Sequence, residues 1–214
     1  MRTITLVTQK GGSGKTTIAA SLAVAASEAG EKVVALDLDP QGSLAAWGES
    51  RAEDAPAIDR LGSDRVGELP QILAALGAQG FTLAVLDTAG VASTGGNLAM
   101  QAADLALIPA RPSRLDLQAT MPTIETLMRL GMRDRFAFVL NQCPAGRSAR
   151  TVEAASGLGM FGVLAEPSLT QRADHQDALA AGKGVTEYAP EGKAADELRA
   201  LWAWADRKMK AAKA

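Results

Sequence analysis

The chain has 214 residues, the length of one typical domain, and its 47% hydrophobic residues are enough for a full core, which excludes an intrinsically disordered protein. The 22 Lys and Arg residues nearly balance the 24 Asp and Glu residues, so the formal net charge is −2 and the average charge does not indicate constitutive nucleic-acid binding. The single cysteine, Cys143, excludes an internal disulfide and indicates a cytoplasmic protein, and no apolar run approaches the roughly 18 residues of a membrane span.

Short apolar runs alternate with longer helical patterns along the chain. Strands are predicted over Thr3–Thr8, Val33–Asp37, Leu83–Asp87, Leu105–Pro109, Phe136–Asn141 and Phe161–Leu164. Helices are predicted over Lys15–Ala29, Leu44–Arg51, Gly67–Leu76, Leu115–Arg129, Ala149–Ser156, Gln171–Ala180 and Ala194–Lys210. Because the strands are apolar almost throughout, we expect helices on both faces of a mostly parallel sheet. The pattern predicts a doubly wound α/β fold, with residues 1–214 as a single domain.

The most specific motif lies between the first strand and the first helix. It reads Lys10-Gly11-Gly12-Ser13-Gly14-Lys15-Thr16-Thr17. Glycines allow successive backbone N–H groups to point inward around phosphate oxygens, and the following helix directs its positive end at the same place. In such a loop Lys15 neutralises β- and γ-phosphate charge, the Thr16 hydroxyl coordinates Mg²⁺, and Thr17 is placed to bind the α-phosphate. The motif therefore predicts a nucleotide-binding site.

The start of this loop departs from the common phosphate-loop pattern. That pattern has a glycine five residues before the glycine that precedes the lysine, which is Gly14 here. The corresponding position in this chain is Gln9. Lys10 follows it and opens the loop. From the residues alone, Lys10 is either a solvated side chain or a second cation that reaches a phosphate, in its own subunit or in another.

Acidic residues end two of the predicted strands. Asp37 and Asp39 lie on one side of the chain after the second strand, where a carboxylate could orient the water that attacks a γ-phosphate. Asp87 ends an apolar strand and suits a Mg²⁺ site. Either cluster alone is typical of a cap or turn, but after a phosphate loop both favour a catalytic role.

Together these residues resemble the ParA/MinD family of ATPases. The phosphate loop resembles the family's deviant Walker A motif, Asp37–Leu44 resembles its second motif, and Asp87–Gly90 resembles its Walker B motif. Weaker similarity continues through Pro112–Asp116 and Gly184–Tyr188. The resemblance implies a P-loop NTPase fold with ATP and Mg²⁺ as cofactors.

The resemblance also implies roles for individual residues. Lys10 matches the signature lysine, which reaches the partner subunit's nucleotide in an ATP-sandwich dimer. Lys15 matches the phosphate-binding lysine, and Thr16 and Asp87 match the groups that hold Mg²⁺. By the same resemblance Asp39 is the water-activating aspartate, with Asp37 supporting it. Asn141, at the end of an apolar strand, matches a residue that contacts adenine.

The resemblance favours a short ParA-like ATPase without an N-terminal operator-binding domain, because the phosphate loop begins at residue 10. Such a protein forms an ATP-dependent homodimer, binds DNA without sequence preference, and positions a plasmid, chromosome or protein-cluster cargo, with release when a ParB-like activator stimulates ATP hydrolysis. We therefore expect nucleoid association. Residues 28–68 carry a local charge of −6 and residues 105–152 carry +4, and that second stretch is the candidate DNA face. Further candidates for this face are Arg172, Arg199, Lys208 and Lys210.

Three other functions are less favoured. A MinD-like membrane ATPase would need a C-terminal amphipathic anchor. Leu198, Leu201, Trp202, Ala205 and Met209 form a helical stripe, but residues 211–214 are only weakly apolar, so we expect the stripe to pack on the domain. An iron–sulfur reductase would need more cysteines than Cys143 alone. An ATP-dependent synthetase would need a second substrate site, and the sequence gives no sign of one. The only histidine, His175, is interpreted as a surface residue of a helix.

Overall fold

The fold is a parallel sheet covered by helices on both faces. The computed structural model describes residues 1–212, and Lys213 and Ala214, at the end of the predicted C-terminal tail, lie outside them. The described strands are β1 Arg2–Leu6, β2 Val33–Asp37, β3 Ala57–Arg60, β4 Leu83–Asp87, β5 Leu105–Ala110, β6 Phe136–Leu140 and β7 Val163–Leu164. They pair in the order β3-β2-β4-β1-β5-β6-β7, and every adjacent pair is parallel.

Helices connect the strands and form the outer layers. Those described are α1 Lys15–Glu28, α2 Ser43–Glu49, α3 Leu69–Ala78, α4 Thr94–Ala102, α5 Arg114–Arg129, α6 Ala149–Gly159, α7 Asp174–Ala180, α8 Val185–Tyr188 and α9 Lys193–Ala211. A short 3-10 turn, Val66–Glu68, precedes α3. One sheet face packs against α1, α2, α7, α8 and α9, and the other packs against α3, α4, α5 and α6.

The alternation of side chains along each strand explains why both faces are buried. In β4, Leu83 and Val85 belong to the core on the α1 side, whereas Ala84 and Leu86 belong to the core on the α3 side. A strand with apolar residues on both faces is stable only when both faces are covered. The prediction of a doubly wound sheet is therefore confirmed.

The predicted elements are present with ends shifted by at most three residues, and three elements were missed. Strand β3 lies at the sheet edge, and its exposed Asp59 and Arg60 give it no continuous apolar run. Helix α4 contains Gly95 and Gly96, which are typical of loops, but both are buried and Ser93 caps the helix by accepting a hydrogen bond from the Gly96 N–H. Helix α8 spans only one turn.

The apolar stripe of α9 is part of the core. Leu198, Leu201, Trp202, Ala205 and Met209 are all buried, and they pack in the same cluster as α1. This confirms that the stripe packs on the fold, and burial of each large side chain contributes about 1.5–3 kcal/mol to stability. Among residues 1–212 there is no helix with the length and apolar character needed to cross a membrane.

Because the strands are parallel, all loops that carry predicted site residues lie at the carboxyl ends of the strands, which we call the carboxyl edge of the sheet. Strands β2, β3 and β4 lie on one side of β1, and β5, β6 and β7 lie on the other, so the order of the strands reverses at β1. Ligands of open α/β sheets bind outside the carboxyl ends of the strands at such a switch point. The loops that follow β1, β2, β4 and β6 contain Lys10–Thr17, Asp39, Thr88–Val91 and Asn141, and these meet at this edge.

Candidate nucleotide-binding site

The phosphate loop turns directly into α1, with left-handed glycines that allow the turn. Gly12 has φ 75° and Gly14 has φ 93°, and Gly14 is the N-cap of α1. A Cβ at Gly14 would also collide with Nδ2 of Asn141. The backbone amide groups at the start of α1 face the loop, as expected of an anion-binding site.

Two amide side chains attach the loop to the end of β6. Nδ2 of Asn141 donates to the Ser13 carbonyl at 2.8 Å, and Nε2 of Gln142 donates to the Gly12 carbonyl at 3.3 Å. Asn141 is buried, so this contact holds the loop in place as well as bordering the site. Gln142 was not predicted, and its positive φ of 54° is the only such value among the non-glycine residues described. Asn141 is therefore at the site, and its predicted contact with adenine stays a prediction.

A buried lysine and a buried hydroxyl group lie in the phosphate loop. Lys15 is 7% exposed, and its Nζ lies 3.4 Å from the Lys10 carbonyl. Burial lowers the pKa of Lys15, and nearby Asp87 and Asp39 oppose this shift. Ser13 Oγ is also buried and has no hydrogen-bond partner among residues 1–212. A phosphate bound in the loop would supply partners for both groups.

Thr16 and Asp87 form the core of the candidate Mg²⁺ site. Oγ1 of Thr16 donates to Oδ2 of Asp87 at 2.6 Å, while Oδ1 of Asp87 is buried and unpartnered within the described part of the chain. Burial raises the pKa of Asp87 to about 7, with the hydrogen bond from Thr16 acting in the opposite direction. A hydroxyl and a carboxylate with an unpaired oxygen fit Mg²⁺, which takes few protein ligands and completes its shell with water and phosphate oxygens. Accordingly, no group of three or more His, Cys, Asp or Glu side chains that could hold a metal was found in residues 1–212.

Asp37 is a structural residue that shapes the loop carrying Asp39. Its carboxylate is fully buried and accepts hydrogen bonds from the backbone N–H of Asp39 and of Ala45, each at 2.9 Å. Arg60 secures the other side of this loop by donating to the Pro40 carbonyl at 2.7 Å. The side chain of Asp39 is half-buried, and the residue borders the same cavity as Gly11, so it faces the end of the phosphate loop.

The loop after β4 lies against the phosphate loop. A Cβ at Gly90 would lie 3.2 Å from the Gly11 nitrogen and 3.3 Å from its Cα, so a larger side chain would force the two loops apart. Ala89 and Gly90 line the cavity that also contains Gly11 and Asp39. The three predicted motifs therefore surround one space.

Lys10 is held by its own chain through a residue that the sequence pattern did not single out for this role. Its Nζ lies 2.8 Å from Oδ1 of Asp116, in the first turn of α5. Asp116 is buried, and it also accepts hydrogen bonds from Arg111 and Ser113. Burial favours a higher pKa for Asp116, but the hydrogen bonds from Lys10, Ser113 and Arg111 outweigh it and hold the pKa below its usual range.

The arginines of the basic stretch occupy two opposite edges of the sheet. Four follow the carboxyl ends of β5 and β6, namely Arg111, Arg114, Arg147 and Arg150. Three others precede the start of β6, at the amino edge, namely Arg129, Arg133 and Arg135. Because all strands are parallel, these two groups lie at opposite ends of the strands. The sequence pattern gave no signal of this separation.

Several basic residues predicted for the DNA face have acidic partners in the chain. Arg172 pairs with Glu197 at 2.9 Å, Lys210 pairs with Asp206 at 2.8 Å, and Arg199 lies 3.7 Å from Asp196. Lys208, on α9, is half-buried. Arg114, Arg147 and Arg150 are exposed at the same edge as the phosphate loop.

A cavity beside the phosphate loop contains residues that the sequence did not indicate. It extends from Gly14 and Thr17 to Arg172 and His175, between the end of β6 and the start of α7. His175 lies on helix α7 as interpreted, but it is only partly exposed, and its Nε2 is buried. A lone histidine between polar residues gives no signal of burial, since that burial comes from packing between distant segments.

The family and the relatives of the chain agree with this geometry. The CobQ/CobB/MinD/ParA nucleotide binding domain matches residues 4–166. The maintenance of carboxysome distribution protein A of Halothiobacillus neapolitanus is 31% identical over 209 residues, covering 93% of this chain and 94% of that protein. Protein virC1 of Rhizobium radiobacter is 30% identical over 154 residues, covering 69% of this chain and 67% of that protein.

A solved structure confirms the fold. The septum site-determining protein MinD of Pyrococcus horikoshii, in complex with Mg-ADP, superposes with a TM-score of 0.76 over 100% of this chain and 98% of that chain, at 24% identity. The family match spans the strands whose loops carry the phosphate loop, Asp39, Asp87 and Asn141. The chain thus belongs to the CobQ/CobB/MinD/ParA family of nucleotide-binding proteins.

Proposed function

We propose that the protein is a Mg²⁺-dependent ATPase that positions or partitions a cargo. The observation that carries this proposal is the joining of the phosphate loop to a buried carboxylate through the Thr16–Asp87 hydrogen bond. The family membership and the Mg-ADP complex of the related fold support the same ligand. The carboxysome-distribution relative supports the positioning role.

Each site residue has a chemical task in this proposal. Lys15 and the amide groups of the loop bind the phosphates. Thr16 and Asp87 would hold Mg²⁺, which would supply positive charge to offset the negative charge of the phosphate oxygens. Asp39, on the loop fixed by Asp37, orients the attacking water. Thr17 and Asn141 contact the α-phosphate and the adenine. Removal of Lys15 as Lys15→Ala is expected to abolish nucleotide binding.

In the proposed cycle ATP joins two copies of the chain. Lys10 leaves Asp116 and reaches the nucleotide of the partner subunit, so each site is complete only in the dimer. The exposed apolar side chain of Val91, 67% accessible beside the phosphate loop, suits burial in such an interface. A ParB-like or other activator protein then stimulates hydrolysis and separates the dimer.

We further propose that the dimer binds DNA through exposed arginines at the carboxyl edge. Arg147 and Arg150 follow the loop that contains Asn141 and Gln142, so they lie near the nucleotide that gates binding. Dimerisation doubles this local charge, and the affinity for a phosphate backbone rises steeply with the number of contacts. Association with the nucleoid follows from this property.

Fluorescence polarisation with labelled duplex DNA tests the DNA-binding proposal. We expect binding with ATP but not with ADP, and an affinity that falls as salt increases from about 50 to 200 mM. Arg147→Ala/Arg150→Ala is expected to weaken binding about tenfold or more and to lower the salt slope by about two per chain. The matched control, Arg133→Ala/Arg135→Ala, removes the same charge from the opposite edge. Tight binding without ATP, no binding at all, or a loss in the control alone would contradict the proposal.

A further inference from the structure

The cavity beside the phosphate loop has the composition of a site for a flat, polar-edged group. Its apolar lining comes from Ile18 of α1, from Leu169 in the segment between β7 and α7, and from Leu198 of α9, and Gln142 lies at its border. It begins at Gly14 and Thr17, where the phosphate loop ends. A group attached to a bound phosphate chain would therefore enter it without crossing the protein.

Two residues that line this cavity each have a buried polar atom without a hydrogen-bond partner among residues 1–212. Nε2 of His175 and Nε of Arg172 are both inaccessible and make no hydrogen bond within residues 1–212. A buried polar atom without a partner costs about 1–3 kcal/mol, so such atoms usually bind a ligand or water. Here both residues border the same cavity.

The wall that carries these atoms is held rigidly by α9. Glu197 accepts hydrogen bonds from the Thr170 N–H, from Thr170 Oγ1 and from Arg172 Nη2, each at 2.9 Å. Burial favours a higher pKa for Glu197, but the bonds from Arg172 and Thr170 outweigh it and hold the pKa below its usual range. A charged Glu197 therefore fixes the guanidinium of Arg172 through its Nη2 and leaves its Nε without a partner among residues 1–212.

His175 has the charge state needed to accept a hydrogen bond at neutral pH. Burial lowers its pKa, although Glu197 and Asp174 act in the opposite direction. In the neutral ring one nitrogen is an acceptor, which matches an exocyclic amine. Arg172 Nε is only a donor, so it needs an acceptor such as a ring nitrogen or a ribose hydroxyl.

We propose that His175 and Arg172 are specificity-determining residues that bind the nucleoside of the nucleotide, with His175 Nε2 accepting a hydrogen bond from the exocyclic amine of adenine. This inference rests on the proposed function, and it adds to it the residues that select the base. Guanine presents an acceptor oxygen where adenine has its amine, so His175 favours ATP over GTP. The apolar side chains of Ile18, Leu169 and Leu198 pack against the faces of the base.

Competition binding with three ligands tests the inference. ATP, GTP and inorganic tripolyphosphate are titrated with Mg²⁺ into the wild type, His175→Phe, His175→Gln and the control Asp177→Asn, which changes an exposed residue of the same helix. We expect His175→Phe to weaken ATP about tenfold and to leave GTP and tripolyphosphate within about twofold, because one hydrogen bond is lost. His175→Gln keeps an acceptor and should recover part of the ATP preference.

The outcomes separate this inference from the proposed function. An unchanged ratio of ATP to GTP affinity in folded His175→Phe overturns the role of His175, while ATP binding by the wild type would leave the proposed function intact. An equal loss for ATP and tripolyphosphate would also overturn it, because the residue would then act only on the structure of the loop. A wild type that binds tripolyphosphate but no nucleotide contradicts the proposed function itself.

Discussion

At the scale of single residues, the site is built around a carboxylate in an unfavourable environment. Asp87 is fully buried, is bonded on one oxygen only, and lies near Asp37 and Asp39. Its charge is stabilised when a cation binds, so the residue contributes to ligand binding at the expense of the stability of the ligand-free fold.

The burial of the Asp87 carboxylate makes the stability of the ligand-free protein depend on pH. The folded-state pKa of Asp87 is raised to about 7, so between about pH 4 and 7 the folded chain keeps a proton that the unfolded chain has lost. The contribution of Asp87 to stability therefore falls as the pH rises through this window. We expect Asp87→Asn to stabilise the ligand-free protein at pH 8 by up to about 4 kcal/mol and to have little effect at pH 4.

Urea unfolding at the two pH values measures this effect. Asp39→Asn is the control, because its side chain is half-buried in the same site. Asp87→Asn should also lose Mg²⁺-dependent nucleotide hydrolysis. A variant that is less stable than the wild type at pH 8 would show that the carboxylate supports the ligand-free fold.

The contact between Lys10 and Asp116 predicts a second residue-scale effect. In the proposed dimer Lys10 must exchange Asp116 for a phosphate, so removing the carboxylate removes a competing partner. We expect Asp116→Asn to strengthen ATP-dependent dimerisation about three- to tenfold with unchanged nucleotide affinity of the monomer. Analytical ultracentrifugation with ATP measures this, with the exposed Asp134→Asn as the control. Weaker dimerisation would instead assign Asp116 to the active arrangement.

At the scale of elements, a buried ion pair joins α2 to the short helix α8. The side chain of Arg51 is 2% exposed, forms two hydrogen bonds with Glu187 at 2.9 and 3.0 Å, and also donates to the carbonyls of Ala55 and Gly182. Its guanidinium lies 4.8 Å from the centre of the Trp47 ring. This cluster fixes the helix that follows the Asp39 loop.

Breaking this pair should destabilise the fold strongly. Arg51→Ala leaves Glu187 without its partner, and we expect a loss of about 3–5 kcal/mol in the free energy of unfolding. Arg65→Ala is the matched control, because its pair with Glu68 is more than half exposed, and exposed pairs contribute about 0–1 kcal/mol. Denaturant unfolding of both variants gives the comparison. Equal losses would mean that the Arg51 cluster does not join the two helices.

The elements also show what could be predicted from the sequence. Buried strands such as β4 can be predicted from their continuous apolar residues, and the phosphate loop can be predicted from its glycines and lysines. Edge strand β3 and helix α4 give no such signal, because β3 is half exposed and the first turn of α4 contains two glycines, which disfavour a helix unless tertiary packing stabilises it. The sequence pattern predicts those elements that local interactions stabilise. The remaining elements depend on tertiary contacts, which the local pattern does not contain.

At the scale of the whole molecule, the same distinction holds for the site. Lys15, Thr16, Asp39, Asp87 and Asn141 could be named as candidates because each lies in a recognisable motif at or just after the end of a strand or at the start of a helix. The fold brings these motifs together at the carboxyl ends of the strands. Asp116, which pairs with Lys10, and Arg172 and His175, which border the cavity beside the phosphate loop, come from segments far away in the chain. Their positions follow only from the packing of α5, α7 and α9 on the sheet.

Charge is the other property that depends on the whole fold. The net charge of −2 does not describe the surface, because acidic and basic stretches are separated along the chain. The arginines of residues 105–152 are in turn divided between the two edges of the sheet. Only the group at the carboxyl edge lies beside the nucleotide site, so only that group can be gated directly by ATP.

Molar mass, measured by light scattering after size-exclusion chromatography, is the most direct test of the proposed ATP-gated dimer. The wild type, Asp39→Ala and Lys10→Ala are each measured with ADP and with ATP. We predict monomers with ADP, and for Asp39→Ala a stable dimer with ATP, because the two chains join while the attacking water is poorly activated. Lys10→Ala should bind ATP and remain monomeric. An Asp39→Ala variant that binds ATP yet stays monomeric would contradict the proposed ATP-gated dimer.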